Sequence, residues 1–397
     1  MAGVTAEAGS RAPILAVLNA ALRAADPMQA VLTHVSLSGD LLRIGMRDYD
    51  LAAIDRIVVI GGGKADAPMA AALASILGAR ITAGLVNVKY GHTADAAGWH
   101  VSFGRLETPP SSRYPVSTGP IRVIEAGHPV PDQAGQAGAA RMLTLLQGLS
   151  SRDLVIVLIS GGGSALLPMP TAGISLADLQ AVTTTLLRCG ANIAEINAVR
   201  KHCSEIQGGQ LVRWAAPAQV AALILSDVVG SPLDAIASGP TVPDRTSFVD
   251  ALAVLQRYDV LDQVPAAIRD RLEQGVAGAV AETPKPGDPV FERTNNVVIG
   301  DNAIAGRAAA HEARRQGWQA KLLTTYMQGE AREVGRVVAG LAQGIACGQS
   351  DIQKPACLVL GGETTVTIRG HGQGGRNQEL ALAAAIALDE YRAGTST

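Results

Sequence analysis

The chain has 397 residues, 48% of them hydrophobic but only 3% aromatic, with 17% charged residues and a formal net charge of −2. This length exceeds one compact core, so two domains are expected, and cores of Ala, Val, Leu and Ile suit parallel sheets covered by helices better than β-sandwiches. The near-neutral balance, without a sustained basic or acidic run, argues against a nucleic-acid or membrane-surface partner.

Residues 1–11 lack a basic region followed by an apolar core, and no apolar run approaches the length of a membrane span, so a cytosolic location is expected by default. Cys189, Cys203, Cys347 and Cys357 form no Cys-x-x-Cys pair and read as reduced, buried cysteines. Short β-branched runs then alternate with Ala/Leu-rich segments, the mark of βαβ units. Strands are expected over 57–60, 81–88, 153–159 and 220–225, with a helix over 68–77. Ser175 and Asp178 form a capping-box start for a helix through Arg188. Residues 192–214 read as one long helix that Gly208 and Gly209 would break. Proline and glycine concentrate over 282–289 (ETPKPGDP), as in a linker or wide loop. Beyond it, strands are expected over 296–299, 320–324 and 356–360 and helices over 302–316 and 331–347. The expected domains are 1–245, a connecting region 246–290, and 291–397.

Glycine runs end three of these strands, at Gly61, Gly62 and Gly63, at Gly161, Gly162 and Gly163, and at Gly361-Gly362, while Gly374-Gly375 precedes a helix. Beyond strand ends such loops let backbone amides approach an anion, and Lys64 and Arg376 stand beside two of them. GGGKADAPM at 61–69 and GGGSALLPM at 161–169 share a GGGxAxxPM pattern. Common templates fail here. A Walker A loop needs Ser or Thr after Lys64, where Ala65 stands; GxGxxG from Gly61 fails at Asp66; GxSxG around Ser164 fails at Leu166. Asp227 in SDVVGSP follows a strand, where it can hold Mg²⁺, accept a hydroxyl proton or simply make an Asx turn. Arg376 in GGRNQE can grip a phosphate or carboxylate. His128, between prolines in GHPVPD, reads as a turn residue rather than a base, His202 and His311 as core or surface residues, and Arg200 and Lys201 as a candidate solvated helix face.

The ordered set GGGK at 61–64, GHPVPD at 127–132, ISGGGSAL at 159–166, INAVRKH at 196–202, LSDVVG at 225–230, ASGPT at 237–241, GGET at 361–364 and GGRNQEL at 374–380 resembles the class II glycerate 2-kinases. That resemblance implies an α/β fold: a Rossmann-like three-layer α/β/α N-terminal domain and a smaller α/β C-terminal domain of the MOFRL type, with the active site in the cleft between them. It implies ATP- and Mg²⁺-dependent phosphorylation of D-glycerate at its 2-hydroxyl to 2-phosphoglycerate. The family's functional lysine, aspartate and arginine fall on Lys64, Asp227 and Arg376. The expected nucleotide- and substrate-binding residues are Gly61, Gly62, Gly63, Ser160, Gly161, Gly162, Gly163, Ser164, Arg200, Glu363 and Asn377. Lys64 would neutralise the transferring phosphoryl group; Asp227 would act on the glycerate hydroxyl or ligate Mg²⁺; Arg376 would hold the carboxylate or a phosphate. Members usually continue into a further strand and an acidic glycine loop, so a shortened C-terminal domain is expected here. The alternatives are an NAD(P)H-dependent hydroxypyruvate reductase and a catalytically impaired nucleotide- or glycerate-binding relative.

Overall fold

A computed structural model describes residues 3–92, 100–102, 105–107 and 119–394. The chain divides into two compact units, one of Asp26–Gly98 with Thr108–Asp301, the other of Met1–Ala25, Trp99–Glu107 and Asn302–Thr397. The described strands are, in chain order, β1 (Val35–Ser38), β2 (Leu41–Ile44), β3 (Arg47–Asp50), β4 (Arg56–Gly62), β5 (Ala83–Lys89), β6 (His100–Ser102), β7 (Arg105–Glu107), β8 (Ile121–Ala126), β9 (Asp153–Ile159), β10 (Gln219–Leu225), β11 (Thr294–Gly300), β12 (Gln319–Met327) and β13 (Ala356–Gly362).

The larger unit is built on a six-stranded sheet in the order β11-β10-β9-β4-β5-β8, parallel throughout. Counted along the chain this is the 3-2-1-4-5-6 order of doubly wound dinucleotide folds. Alternation along the strands sorts the core into two faces. Ile57, Val59, Leu154, Ile156 and Leu158 pack under helix Asp66–Leu77 through Met69 and Leu73. Val58, Ile60, Val155, Val157 and Ile159 pack under helix Gln133–Leu145 through Met142 and Leu143. The result is three layers, helix on sheet on helix. All seven residues of β9 are buried, as its DLVIVLI run demands of a central parallel strand.

A further helical layer, Leu176–Arg188, Ile193–His202, Phe248–Arg257 and Ala266–Val276, encloses its own apolar cluster around Val182, Val199, Phe248 and Leu272. The Ser175–Asp178 capping box opens the first of these helices, and Asn192 with Glu195 forms another at the second. The long helix expected over 192–214 instead ends at His202. Ser204 Oγ accepts from the N–H groups of Ile206 and Gln207, both at 3.2 Å, and Gly208 and Gly209 follow with φ of +62° and +80°. The stretch 282–289 is pinned rather than loose, through Thr283 Oγ1 to Asp244 Oδ2 at 3.0 Å and Asp244 N–H to Pro284 O at 2.9 Å. It leads into β11, the edge strand beside β10.

In the smaller unit β12 and β13 pair in parallel, with helices Asn302–Arg315, Ala331–Ala346 and Arg376–Gly394. Helix Gly3–Ala24 belongs to this unit too: Val17 joins Ala309, Ala310, Ala313 and Ala320 in one cluster. All four cysteines are free, but only Cys203 is buried, its thiol pushed up to about 12 by burial, whereas Cys347 is exposed. The expectation of uniformly buried cysteines is thereby corrected. No helix among the described residues is long and apolar enough to cross a membrane.

Candidate active site

In an open parallel sheet a ligand settles beyond the carboxyl ends of the strands, where the strand order reverses. That point lies between β4 and β9, which pair through Gly62 and Ile159 while the chain leaves β4 toward β5 and β9 toward β10. The two copies of GGGxAxxPM are the loops after these two strands. Lys64 N–H donates to Gly161 O at 2.9 Å and Gly63 N–H to Asn87 O at 3.1 Å. Ala65 N–H donates to Ser160 Oγ at 3.0 Å. Gly61 and Gly62 lie inside β4 as buried strand residues. The first loop is therefore spent bracing the second, and two equivalent anion cradles are not what the chain builds. None of these bonds uses the N–H of Gly161, Gly162 or Ser164.

Side chains converge on the second loop. A Cβ at Gly161 would lie 2.1 Å from Asp227 Oδ2. One at Gly162, whose φ is +88°, would lie 2.8 Å from His128 Cδ2 and 3.2 Å from Lys64 Cε. Such approach at such a backbone angle admits only glycine. Lys64 after β4, His128 after β8, the loop after β9 and Asp227 after β10 thus meet around one spot. His128 lies in a bend, as its place between prolines in GHPVPD predicts; its approach to Gly162 is what the sequence does not show. Burial, then the Lys64 and Lys89 cations, lower its pKa against the pull of Asp227, so the ring is neutral near pH 7 and able to accept a proton.

Beneath the loops Asp66 is fully buried, and Ser160 Oγ donates to its Oδ1 at 2.5 Å. Burial pushes this carboxyl up to about 7, against the hydrogen bond from Ser160. An unfolded aspartate ionises near 3.8, so the native state holds the extra proton between about 4 and about 7, and stability falls as pH rises through that window. Asp66→Asn removes this dependence. Its stability relative to wild type should improve between about pH 4.5 and about pH 8, measured by urea unfolding. A gap that stays constant would contradict a buried neutral carboxyl.

A cavity of about 260 Å³ opens beside this cluster, sharing His128 and Gly162 with it and reaching into the helical layer. Its polar lining includes Ser164, Thr183, Arg200, Ser204 and Gln207. Ser164 Oγ lies 2.9 Å from Ser238 Oγ, which donates to Asn197 Oδ1 at 3.0 Å, and Gln207 Nε2 donates to Ser164 O at 3.1 Å. Arg200, half-buried, points its Nε at Thr183 Oγ1 at 3.3 Å. Lys201 is no solvated residue: it is buried with Nζ 3.3 Å from Asp244 Oδ1. His202 is a core residue, Nδ1 at 2.7 Å from Ala198 O, and His311 is exposed.

In the smaller unit Arg376 opens helix Arg376–Gly394 and donates through Nη1 to the Glu363 carboxylate and to Thr364 O at 3.4 Å. Asn377 follows, exposed on the first turn. The expected residues are thus gathered in two groups, Gly61–Lys64, Ser160, Gly161–Ser164, Arg200 and Asp227 on the sheet unit, and Glu363, Arg376 and Asn377 on the other.

A doubly wound α/β protein whose glycine-lined switch point gathers a lysine, a histidine and an aspartate is the class these features define. Comparisons sharpen it. A family model described as a domain of unknown function, DUF4147, matches residues 14–273, and the MOFRL family model matches 356–396. A glycerate 2-kinase of Pyrococcus horikoshii is 40% identical over 380 residues, spanning 96% of this chain and 80% of that protein. The crystal structure of the Thermotoga maritima glycerate kinase superposes with a TM-score of 0.78 at 35% identity, covering 96% of this chain and 80% of that one. An Agrobacterium vitis relative, 42% identical over 336 residues (84% of this chain, 79% of that protein), carries a hydroxypyruvate reductase name. The chain belongs to the glycerate kinase family, with a DUF4147 region followed by a MOFRL region.

Proposed function

We propose that this protein is a cytosolic glycerate 2-kinase, transferring a phosphoryl group from ATP to the 2-hydroxyl of D-glycerate. The observation that carries the reading is the meeting of Lys64, His128 and Asp227 around Gly161 and Gly162 at the switch point of the sheet. Phosphoryl transfer asks a protein for positioning and charge stabilisation rather than covalent chemistry. The Gly161, Gly162 and Ser164 amides face the transferring phosphate, and Lys64 neutralises its growing charge. Asp227, exposed at the end of β10, orients or deprotonates the acceptor hydroxyl, and neutral His128 stands beside it as a proton acceptor. Arg376, steadied by Glu363, binds phosphate oxygens, with Asn377 beside it.

The donor set fits a metal carried by the nucleotide. No three His, Cys, Asp or Glu side chains form a cage among the described residues, and Mg²⁺ is commonly held by one or two carboxylates plus substrate phosphates. Asp227 is the carboxylate that would hold it; bound there, Mg²⁺ would offset phosphate charge.

A nicotinamide reductase is the weaker reading. Asp66 occupies the third glycine place of the fingerprint with a buried carboxyl, and β5 ends on Lys89 where a ribose-binding acid would stand. An ADP-release assay with D-glycerate, ATP and Mg²⁺, run beside NADH oxidation with hydroxypyruvate, separates the two. ADP release dependent on glycerate is the expected outcome. NADH oxidation alone would assign the reductase, and nucleotide binding without either reaction an impaired relative.

A further inference from the structure

A kinase acting on a hydroxy acid must hold two anions, the phosphates and the carboxylate of the acceptor. The helix Ile193–His202 carries one cation committed to an acid and one that is not. Lys201 is paired with Asp244, while Arg200, on the same helix, makes its hydrogen bond to the neutral Thr183 hydroxyl. Among the described residues, no carboxylate lines the cavity that Arg200 faces. Burial lowers the guanidinium pKa, with no acid acting against it. A cation withdrawn from water without a counter-ion is costly, and a carboxylate meeting its planar fork recovers that cost through charge-assisted, bidentate bonds.

Size narrows the occupant. At about 260 Å³ the cavity falls below the roughly 300–1,000 Å³ typical of pockets for drug-sized ligands, so it holds a short acid better than a nucleoside triphosphate. Met169, Leu179 and Ile193 form apolar walls that offer nothing to a second charged group. The cavity also shares Gly162 and His128 with the Lys64 cluster, which sets a bound acid beside the proposed point of transfer.

We propose that Arg200 is the carboxylate anchor of the acceptor and that this cavity seats a short monocarboxylic hydroxy acid with its reacting hydroxyl toward Gly162 and Lys64. The assignment rests on the kinase reading above, and it leaves Arg376 to the phosphates.

The test compares wild type with Arg200→Met and Arg200→Lys in steady-state kinetics, using D-glycerate and its neutral amide, glyceramide. Arg200→Met should raise KM for D-glycerate about 10- to 100-fold, the scale of a lost charge-assisted pair. KM for ATP should not move, and the preference for glycerate over glyceramide should fall by the same factor as binding. Arg200→Lys, which keeps the charge but not the fork, should fall in between. An unchanged glycerate-to-glyceramide preference overturns the anchor, and a rise in KM for ATP instead assigns the cavity to the nucleotide. If wild type phosphorylates no hydroxy acid, the kinase reading itself has failed. Calorimetric titration of D-glycerate into wild type and Arg200→Met then still reads the carboxylate contact, and equal affinities overturn it.

Discussion

Lys64→Ala should lower kcat for D-glycerate phosphorylation by about 10²- to 10³-fold while the protein stays folded. The main chain of Lys64 does structural work, donating to Gly161 O at 2.9 Å, and that bond survives truncation of the side chain. The ammonium group is what is lost, at the spot where its stem approaches Gly162 beside His128. A cation placed where charge develops acts mainly on the transition state, so kcat and kcat/KM should fall together with little change in KM for ATP. Steady-state kinetics at saturating glycerate and ATP, with a thermal melt as control, decide the point. Near-wild-type turnover would remove Lys64 from the transfer step.

Asp244→Ala should be the most destabilising of the single substitutions, by about 3–5 kcal/mol, because it strands a buried ammonium. Lys201 and Asp244 are both buried, and Asp244 also takes the Thr246 N–H at 3.0 Å, the Thr246 hydroxyl at 2.7 Å and the Thr283 hydroxyl at 3.0 Å. One carboxylate therefore ties helix Ile193–His202 to two stretches of loop. Urea unfolding should show the loss. A double change, Lys201→Met with Asp244→Leu, should recover only the part due to the stranded ammonium, because the Thr246 and Thr283 donors stay unpaired. If Asp244→Ala unfolds at the wild-type midpoint, the pair is not holding these segments.

What could be read from the chain was what short windows encode. The DLVIVLI run fixes β9, and Ser175 with Asp178 fixes the start of a helix, because both depend on neighbours within a few residues. The glycine loops and Lys64, Asp227 and Arg376 stood out for the same reason. What could not be read depends on distant partners. Lys201 looks solvated until Asp244, 43 residues on, is brought against it. Helix Gly3–Ala24 carries no mark that Val17 packs with Ala309 and Ala313. β4 runs on through Gly61 and Gly62 because β5 and β9 pair with those glycines on either side. His128 gains its place only when Gly162 adopts a left-handed turn beneath it.

The position of the transferred phosphate tests the account most directly. Phosphorus NMR of a reaction of the purified protein with D-glycerate, ATP and Mg²⁺ should show 2-phosphoglycerate and ADP appearing in equal amounts. Phosphate on the 3-hydroxyl, or ATP unconsumed while hydroxypyruvate is reduced by NADH, would contradict it.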